Sequence, residues 1–276
     1  MKRAAAALGW LLVVCPIQAQ TLELRFFDVG QGDAALIVTP EGKRVLIDAG
    51  PGAWPVVPYL QSHHYDTLDL IVASHNHTDH IGGMADVIAS RVVRAYLDNG
   101  IPHTTATYQR TLRAVETSGA QYVRATARTI TVGSTRLRVL VPPSRAVDQN
   151  NGSVGILLEY GAFRALLTGD SEQYELGHWL QHDSVPRVTV VKVAHHGSWN
   201  GTTVAWVQAT RPQVAVISVG AGNSYGLPSP QVIEQWRSAG ARVYRTDRDG
   251  AVIIEAKRDG SYIVLNEYSR PARDHE

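Results

Sequence analysis

The sequence feature that most constrains the fold is a histidine-rich segment that directly follows a short apolar run. The apolar character of residues 68–73 suits a strand that is buried on both faces. Four residues of metal-ligand type then occupy six positions: His75, His77, Asp79 and His80. Neutral imidazole and carboxylate are ligands that Zn²⁺, Mn²⁺ and Fe²⁺ accept. The segment therefore predicts a metal site at the end of a buried strand, whereas unrelated surface histidines would not explain the spacing.

Two further segments place ligand-type residues after apolar strands. His195 and His196 end the apolar run over residues 188–194, and Asp170 follows the hydrophobic residues 163–168. Adjacent histidines at a strand end suggest a ligand, and a carboxylate at such a position could bridge two metals. Each segment also has an ordinary interpretation, because a histidine pair can cap a strand and an aspartate after a glycine is common in turns. Taken singly, they leave both interpretations open.

The pattern of strands and helices predicts one α/β domain. Of the 276 residues, 44% are hydrophobic and 18% are charged, which is ordinary for a globular chain with a buried core. The patterns predict strands over residues 22–27, 34–39, 44–47, 68–73, 92–97, 121–124, 135–141, 154–160, 163–168, 188–194, 214–218, 242–244 and 251–256. They predict helices over residues 54–64, 84–90, 105–118, 173–181 and 231–239. Two runs of strands with helical connections are what two packed sheets flanked by helices require.

The first 19 residues have the pattern of a secretory signal peptide. Lys2 and Arg3 supply the positive end, residues 4–14 supply the apolar run, and Ala19 closes a cleavage site. The run is too short to span a bilayer. We therefore expect a periplasmic or secreted domain over residues 20–267, without stable membrane insertion, and a disordered polar tail over residues 268–276. The alternative, a buried N-terminal helix, is disfavoured by the basic start and by Pro16.

Cys15 is the only cysteine of the chain. Cleavage after Ala19 would leave no thiol for a disulfide or a metal, so nitrogen and oxygen would have to hold any ion. Cys15 also permits an interpretation as a lipoprotein acylation site. Val14 disfavours that interpretation because it is bulkier than the small residue such sites want.

Seven short motifs are spread along the mature chain: FDVGQGDA (27–34), LIDAG (46–50), HNHTDH (75–80), NNGSV (150–154), LTGD (167–170), KVAHHGS (192–198) and TDRDG (246–250). Together they resemble the metallo-β-lactamase superfamily, and more closely the metallo-β-lactamase domain of the ComEC family of DNA-uptake (competence) proteins. The resemblance covers essentially the whole mature chain. It implies an α/β fold of one domain, a four-layer αββα metallo-β-lactamase-like sandwich.

The resemblance implies a metal role for each residue of the first cluster. His75 and His77 would hold a first metal, Asp79 and His80 would hold a second, and Asp170 would bridge the two. The implied cofactor is Zn²⁺, as one ion or two, with Mn²⁺ as an alternative. A bound metal would lower the pKa of water from about 15.7 toward 7, and Asp79 would orient or deprotonate that water.

The second cluster supplies the remaining implied ligand. His195 would complete the second site, with His196 as the alternative, because sequence does not decide which neighbour faces the metal. Lys192 would be catalytic beside Asp79 and would meet a phosphate as a point charge; a solvent-facing strand end is its ordinary interpretation. Asp48 would orient a ligating imidazole from behind.

Further positions carry weaker signals or depart from the family pattern. Asp28 and Asp33 flank a glycine-rich turn near the same edge, where simple turn residues are an equal interpretation. Asn150 stands in the segment where many superfamily hydrolases carry another histidine, so it is a weak metal or substrate contact. The first site would then bind loosely, prefer Mn²⁺ or stay empty. Leu227 and Ser229 replace histidines that competence proteins tend to show, which indicates altered substrate contacts.

The leading functional hypothesis is an exported hydrolase of phosphodiester bonds, in DNA or in nucleotide-like substrates. It follows from the nuclease-like role proposed for the competence-protein domain. The chain lacks a membrane channel, so we expect it to act free in the periplasm or outside the cell rather than as a translocator.

Two alternatives stay open. The first is hydrolysis of a lactone, thioester or β-lactam by the same activated water, and the missing histidine and Lys192 count against it. The second is a non-catalytic, metal-containing module that binds DNA. The formal net charge of +1 weakens that hypothesis, because a broad polyanion-binding surface usually shows a marked basic excess.

Overall fold

The structure is a computed structural model that describes residues 21–146 and 148–269. The predicted signal peptide over residues 1–19, with Cys15, lies outside the described residues. Of the predicted tail, only the beginning is described, and it belongs to the short helical turn Glu267–Ser269. Every helix within the described ranges is too short or too polar to cross a lipid bilayer.

The described chain alternates strands with short helices. The strands are β1 (Thr21–Phe26), β2 (Ala35–Val38), β3 (Arg44–Ile47), β4 (Thr67–Leu68), β5 (Leu70–Val72), β6 (Val92–Val93), β7 (Ala95–Asp98), β8 (Gln121–Arg124), β9 (Thr129–Val132), β10 (Thr135–Leu140), β11 (Gly155–Tyr160), β12 (Phe163–Leu167), β13 (Val190–Lys192), β14 (Val214–Ile217), β15 (Arg242–Arg245), β16 (Val252–Lys257) and β17 (Tyr262–Asn266).

The helices connect these strands. The α-helices are α1 (Val56–Ser62), α2 (Thr78–Ile81), α3 (Met84–Ser90), α4 (Ala106–Ser118), α5 (Gln173–His182), α6 (Val204–Thr210), α7 (Pro230–Ser238) and α8 (Thr246–Asp249). Four short 3-10 helices are η1 (Asn150–Gly152), η2 (Ala194–Gly197), η3 (Trp199–Gly201) and η4 (Glu267–Ser269).

The strands form two large sheets. The first has the order β17-β16-β1-β2-β3-β5-β7-β8, and the second has the order β15-β14-β13-β12-β11-β10-β9. Within the first sheet, β3, β5, β7 and β8 are parallel. Within the second, β12, β13, β14 and β15 are parallel. Each sheet therefore has a parallel half whose strands end at one common edge.

The core has three apolar layers because side chains alternate across each strand. Between the sheets, residues such as Leu24 and Ile37 of the first sheet pack with Ile156 and Val190 of the second. On the outer face of the first sheet, apolar side chains meet α1, α3 and α4. On the outer face of the second, α5, α6 and α7 each bury a tryptophan: Trp179, Trp206 and Trp236. The layer order is helix, sheet, sheet, helix, so the predicted fold class is confirmed.

Most predicted elements are present, and the missed ones are short or lie at edges. Strand β17 is exposed or half-buried over most of its length, and so is β9, because both lie at sheet edges. Edge strands show little hydrophobic alternation and are hard to recognise. Helix α6 has only seven residues, and its start depends on Thr203, whose Oγ1 accepts a hydrogen bond from the backbone N–H of Trp206 at 3.1 Å.

Candidate metal centre

The candidate site lies where the parallel strands of both sheets end. The loop after β5 carries His75 and His77 and leads into α2, which carries Asp79 and His80. Asp170 follows β12 in the second sheet, and η2 follows β13. Because carboxyl ends of parallel strands meet at one edge, the three segments converge although they are far apart in the sequence.

Four side chains direct ligand atoms at one point. Asp79, His80, Asp170 and His196 each offer one nitrogen or oxygen, and these atoms all lie within 4.8 Å of one another. Oδ2 of Asp170 lies 3.2 Å from Nε2 of His80 and 3.2 Å from Nε2 of His196. Oδ2 of Asp79 lies 3.2 Å from the same nitrogen of His196.

These donor atoms fit a metal ion. Nε2 of His80 and Nε2 of His196 are buried, yet neither has a hydrogen bond to any described residue. Buried polar atoms without partners are costly and call for an explanation. Converging imidazole and carboxylate donors provide the ligand set that a transition-metal ion uses.

His75 and His77 form a second donor group beside the first. Nε2 of His75 lies 3.1 Å from Nδ1 of His77, and it lies 4.0 Å from Oδ2 of Asp170. The same carboxylate oxygen therefore lies within 4.0 Å of His75, His80 and His196. The bridging role that the resemblance implies for Asp170 stays a prediction.

The structure distinguishes between the two neighbouring histidines after β13. Nδ1 of His196 lies 2.9 Å from the carbonyl oxygen of Ser218, and its Nε2 joins the donor cluster. His195 lies outside that cluster: its Nδ1 is 3.0 Å from Oδ1 of Asn200 and 3.2 Å from Oε1 of Glu172. The geometry therefore favours the alternative ligand, His196, over the predicted His195.

The physical reason is the backbone conformation of η2. His195 has φ 49° and His196 has φ 51°, both in the left-handed region that L-residues rarely adopt. Left-handed residues in succession reverse the chain direction sharply and send the two rings apart. The ring planes are inclined at 65°. Such strain at a functional edge persists only where surrounding contacts fix it.

Asp48 lies behind His80 and positions it. Its Oδ2 is 2.8 Å from Nδ1 of His80, and its carboxylate also accepts hydrogen bonds from the backbone N–H of Ser74 at 2.8 Å and from the hydroxyl at 2.7 Å. Since Nδ1 is engaged, Nε2 is the nitrogen that His80 presents to the cluster. A carboxylate in this role fixes the tautomer of a ligating imidazole.

Asp33 and Asp28 differ in their surroundings. Asp33 is buried, and its Oδ1 lies 3.5 Å from Nδ1 of His196. Asp28 accepts a hydrogen bond from the backbone N–H of Gly30 at 3.1 Å, which is a turn contact. Only Asp33 is thus part of the wall of the candidate site.

Lys192 is buried among acceptors of the protein itself. Its side chain is 3% exposed, and its ammonium forms a close ion pair with Asp33 and donates to the carbonyl oxygen of Gly169 at 2.8 Å. Nζ also lies 3.6 Å from Oδ1 of Asp170. This burial contradicts the predicted contact between Lys192 and a substrate phosphate, because the ammonium is enclosed by the protein's own acceptors.

The electrostatics of the cluster favour a cation. Burial lowers the pKa of His80, but the carboxylates of Asp170, Asp48 and Asp33 outweigh burial and raise it well above its ordinary value. Burial likewise opposes the charge of His196, whose neighbouring carboxylates nevertheless raise its pKa to about 9. The carboxylates thus hold protons on the imidazoles, and a metal would take the place of those protons.

Asn150 and Glu172 complete a polar cluster at the margin of the site. Nδ2 of Asn150 lies 3.0 Å from Oε1 of Glu172 and 3.5 Å from Nε2 of His195, whereas its Oδ1 is buried without a hydrogen bond to any residue that the structure describes. Sequence reasoning missed Glu172. Its only signal was its position two residues after Asp170.

Comparison with known proteins identifies the family of the chain. The sequence profile of the metallo-beta-lactamase superfamily matches residues 27–221. ComE operon protein 3 of Bacillus subtilis is 26% identical over 94% of this chain and 36% of its own length. Recombination protein 2 of Haemophilus influenzae is 28% identical over 90% of this chain and 31% of its own length. Competence protein ComA of Neisseria gonorrhoeae is 26% identical over 85% of this chain and 32% of its own length. The chain spans about a third of the length of these relatives.

Solved structures share the fold at low sequence identity. The metallo-beta-lactamase fold protein YhfI from Bacillus subtilis superposes with a TM-score of 0.55 and 12% identity, covering 85% of this chain and 100% of its own. Igni18, a metallo hydrolase from Ignicoccus hospitalis, gives a TM-score of 0.54 at 16% identity, covering 89% of this chain and 98% of its own. At such identities the likeness shows the fold alone.

Proposed function

Because the chain belongs to the metallo-beta-lactamase superfamily, we propose that it is a metal-dependent hydrolase of phosphodiester bonds, with DNA or a nucleotide-like molecule as its substrate. Zn²⁺ is the proposed cofactor, with Mn²⁺ as the alternative. His75 and His77 would hold one ion, and Asp79, His80 and His196 would hold the other.

The observation that carries the proposal is that one oxygen of Asp170 approaches imidazoles of both donor groups. Its Oδ2 lies 4.0 Å from Nε2 of His75 and 3.2 Å from Nε2 of both His80 and His196. A carboxylate shared by two groups of imidazoles suits a pair of cations. Paired cations about 3.5–4 Å apart clamp the attacking and leaving oxygens in phosphodiester displacement.

Asp79 is the residue proposed to orient the attacking water. When bound, a metal lowers the pKa of water and neutralises negative charge on the phosphate. The side chain of Asp79 is 33% exposed, so it reaches both the cluster and the solvent. Although burial raises the pKa of Asp79, contact with His196 and the charge of His80 hold it below its ordinary value. Asp79 is therefore a carboxylate at neutral pH, and it would orient the attacking water by accepting a hydrogen bond from it.

The names of the relatives support nucleic acid as the substrate class. One of the three is named a competence protein, one a recombination protein and one a protein of the ComE operon. These names describe proteins about three times the length of the matched region, so the proposal extends only to the hydrolase step.

The test is chelator-sensitive hydrolysis of bis(p-nitrophenyl) phosphate and linear DNA by protein loaded with Zn²⁺ or Mn²⁺. We expect turnover with bound metal, and we expect Asp79→Asn to reduce it by about 10²-fold or more, with the circular dichroism spectrum unchanged. Asp86→Asn is the matched control, since Asp86 is exposed and pairs with Arg110 on the outer helices.

Other outcomes would identify the alternatives. Bound metal with hydrolysis of lactones or thioesters, and none of phosphodiesters, would assign the other substrate class. DNA binding without turnover of any substrate would assign a non-catalytic module. A failure to bind metal under any loading would overturn the hydrolase proposal.

We also propose that the protein is exported to the periplasm or secreted. The basic and apolar pattern of residues 1–19 supports this proposal. Cell fractionation with N-terminal sequencing of the mature protein tests it, and we expect a start after Ala19. A lipid-modified Cys15, lost in Cys15→Ser, would instead assign an anchored lipoprotein, and an uncleaved start at Met1 would overturn export.

A further inference from the structure

The buried ammonium of Lys192 has a defined place in the site but no role in the reaction described above. It lies at the end of β13 and is only 3% exposed. A buried charge is tolerated only when it is paired and hydrogen-bonded. Lys192 meets this condition through Asp33, the carbonyl oxygen of Gly169 and Asp170.

Lys192 divides the two oxygens of Asp170 between different partners. Oδ1 lies 3.6 Å from the ammonium, whereas Oδ2 lies 3.2 Å from Nε2 of His80 and of His196. The hydrogen bond from Nζ to the carbonyl oxygen of Gly169 also fixes the peptide group that precedes Asp170. The carboxylate is thus held with one oxygen toward the metal ligands.

The ammonium also accounts for a second group of donors. Asp33, Asp48 and His80 bring ligand atoms within 4.8 Å of one another, as a metal site would. In this group, however, Nδ1 of His80 is engaged by Asp48 at 2.8 Å, and Asp33 pairs closely with Lys192. The group therefore already contains a cation of its own.

We propose that Lys192 is a positioning residue that acts as a fixed internal cation: it occupies the Asp33 group and restricts Asp170 to presenting Oδ2 to the metal. The inference rests on the proposed metal-dependent function. It assigns the metal to the cluster of Asp79, His80, Asp170 and His196 rather than to the Asp33 group.

The competing role is a direct contact with substrate, and the two roles differ in what they change. A substrate contact would alter KM and leave metal affinity unchanged. A positioning residue alters metal affinity in the absence of any substrate, because the carboxylate loses its fixed orientation before the metal binds. Partners of this kind typically affect metal affinity by about 10–100-fold.

The experiment measures Zn²⁺ affinity by competition with a chromophoric chelator, and Zn²⁺ stoichiometry by native mass spectrometry. We expect Lys192→Met, which keeps the length and removes the charge, to weaken Zn²⁺ binding about 10–100-fold. Lys192→Arg keeps the charge and should recover part of that loss. Lys43→Met is the matched control, since Lys43 is a partly exposed lysine paired with Asp69 away from the site.

Wild-type Zn²⁺ affinity in Lys192→Met would overturn the inference. If that variant does not fold, Lys192→Gln is measured instead, because an amide keeps a hydrogen-bond donor toward the carbonyl oxygen of Gly169 and removes the charge. Weaker Zn²⁺ binding is expected, and unchanged binding would overturn the inference. The Zn²⁺ titration contains no substrate. A lack of phosphodiester turnover would therefore overturn the proposed function without affecting the measured Zn²⁺ affinities.

Discussion

The two halves of the metal centre are built in different ways. In the first half, His75, His77, Asp79 and His80 come from one continuous segment after β5 of the first sheet. In the second half, Asp170 and His196 follow two separate strands of the second sheet, β12 and β13. The comparison shows that metal ligands can be predicted from the sequence when one loop and one helical turn carry them. They are much harder to predict when they follow separate strands that only the folded chain brings together.

The first half is legible because its geometry is local. Asp79 and His80 lie in α2, a single turn that begins after His77, so their directions follow from the spacing. In the second half, the choice between His195 and His196 depends on left-handed backbone at both residues. Sequence spacing does not encode a conformation that only tertiary contacts sustain.

The largest effect should separate the neighbouring histidines. His196→Ala should lose the metal of the cluster of Asp79, His80, Asp170 and His196, and turnover should fall about 10³-fold or more, since a metal contributes several kcal/mol of transition-state stabilisation. His195→Ala should keep the metal. Metal content by mass spectrometry beside phosphodiester turnover measures both. Loss of metal in His195→Ala with retention in His196→Ala would reverse the assignment.

A smaller effect should arise when the contact between Asp48 and His80 is weakened. Asp48→Asn keeps the size and the left-handed backbone, which asparagine tolerates, but it weakens the contact with Nδ1 of His80. We expect Zn²⁺ affinity to fall about 10–100-fold with the fold retained. Competition with a chelator measures this. Asp69→Asn, at a carboxylate remote from the metal, should leave the affinity unchanged, and equal losses in the two variants would contradict the role of Asp48.

Helix α5 packs closely against the second sheet, and a substitution at Gly155 tests how tight this packing is. A Cβ on Gly155 would lie 2.7 Å from Cη2 of the buried Trp179. Gly155→Ala should therefore lower the free energy of unfolding by about 1–3 kcal/mol through overpacking. Gly177→Ala, where a Cβ meets open space on the same helix, should be neutral or stabilising. Urea unfolding measures both, and equal values for the two variants would show that Trp179 adapts.

The smallest effect concerns pH and the buried Glu175 of α5. Burial raises its pKa well above 4.5. The folded protein therefore retains a proton that the unfolded chain loses above about pH 4.5, and this carboxyl contributes less stability as pH rises until its folded pKa is passed. Glu175→Gln removes that penalty.

We expect the free energy of unfolding of the glutamine variant to match that of the wild type near pH 5 and to exceed it near pH 8 by about 1 kcal/mol or more. Urea unfolding at both pH values measures the difference. A difference between variant and wild type that does not change with pH would show that Glu175 ionises normally in the fold.

Much of the fold could be predicted because apolar periodicity reports burial. The helix predicted over residues 84–90 is α3, and the strands around the metal-binding loop lie where the pattern places them. The segments that sequence missed, β9, β17 and α6, are short or exposed, so burial leaves little trace in their sequences.

The candidate site was less predictable wherever burial decides a role. The positive charge of Lys192 suggested a phosphate contact, but the fold encloses the ammonium between carboxylates. Glu172 and Glu175 carried no recognisable pattern, because their importance follows from contacts with Asn150 and Ser153 in distant segments. Family resemblance identified the residue types, and tertiary packing determined which atoms meet.

The placement of the ligands in both sheets has a mechanical consequence. An ion held by Asp79, His80, Asp170 and His196 would join one sheet to the other across a long stretch of chain. The only cysteine of the sequence is Cys15, so no disulfide can join the sheets. A bond that closes a long loop stabilises a fold chiefly by restricting the unfolded chain. Removal of the metal by a chelator would therefore lower the stability of the two-sheet fold as well as the hydrolytic activity, and the two losses would appear together.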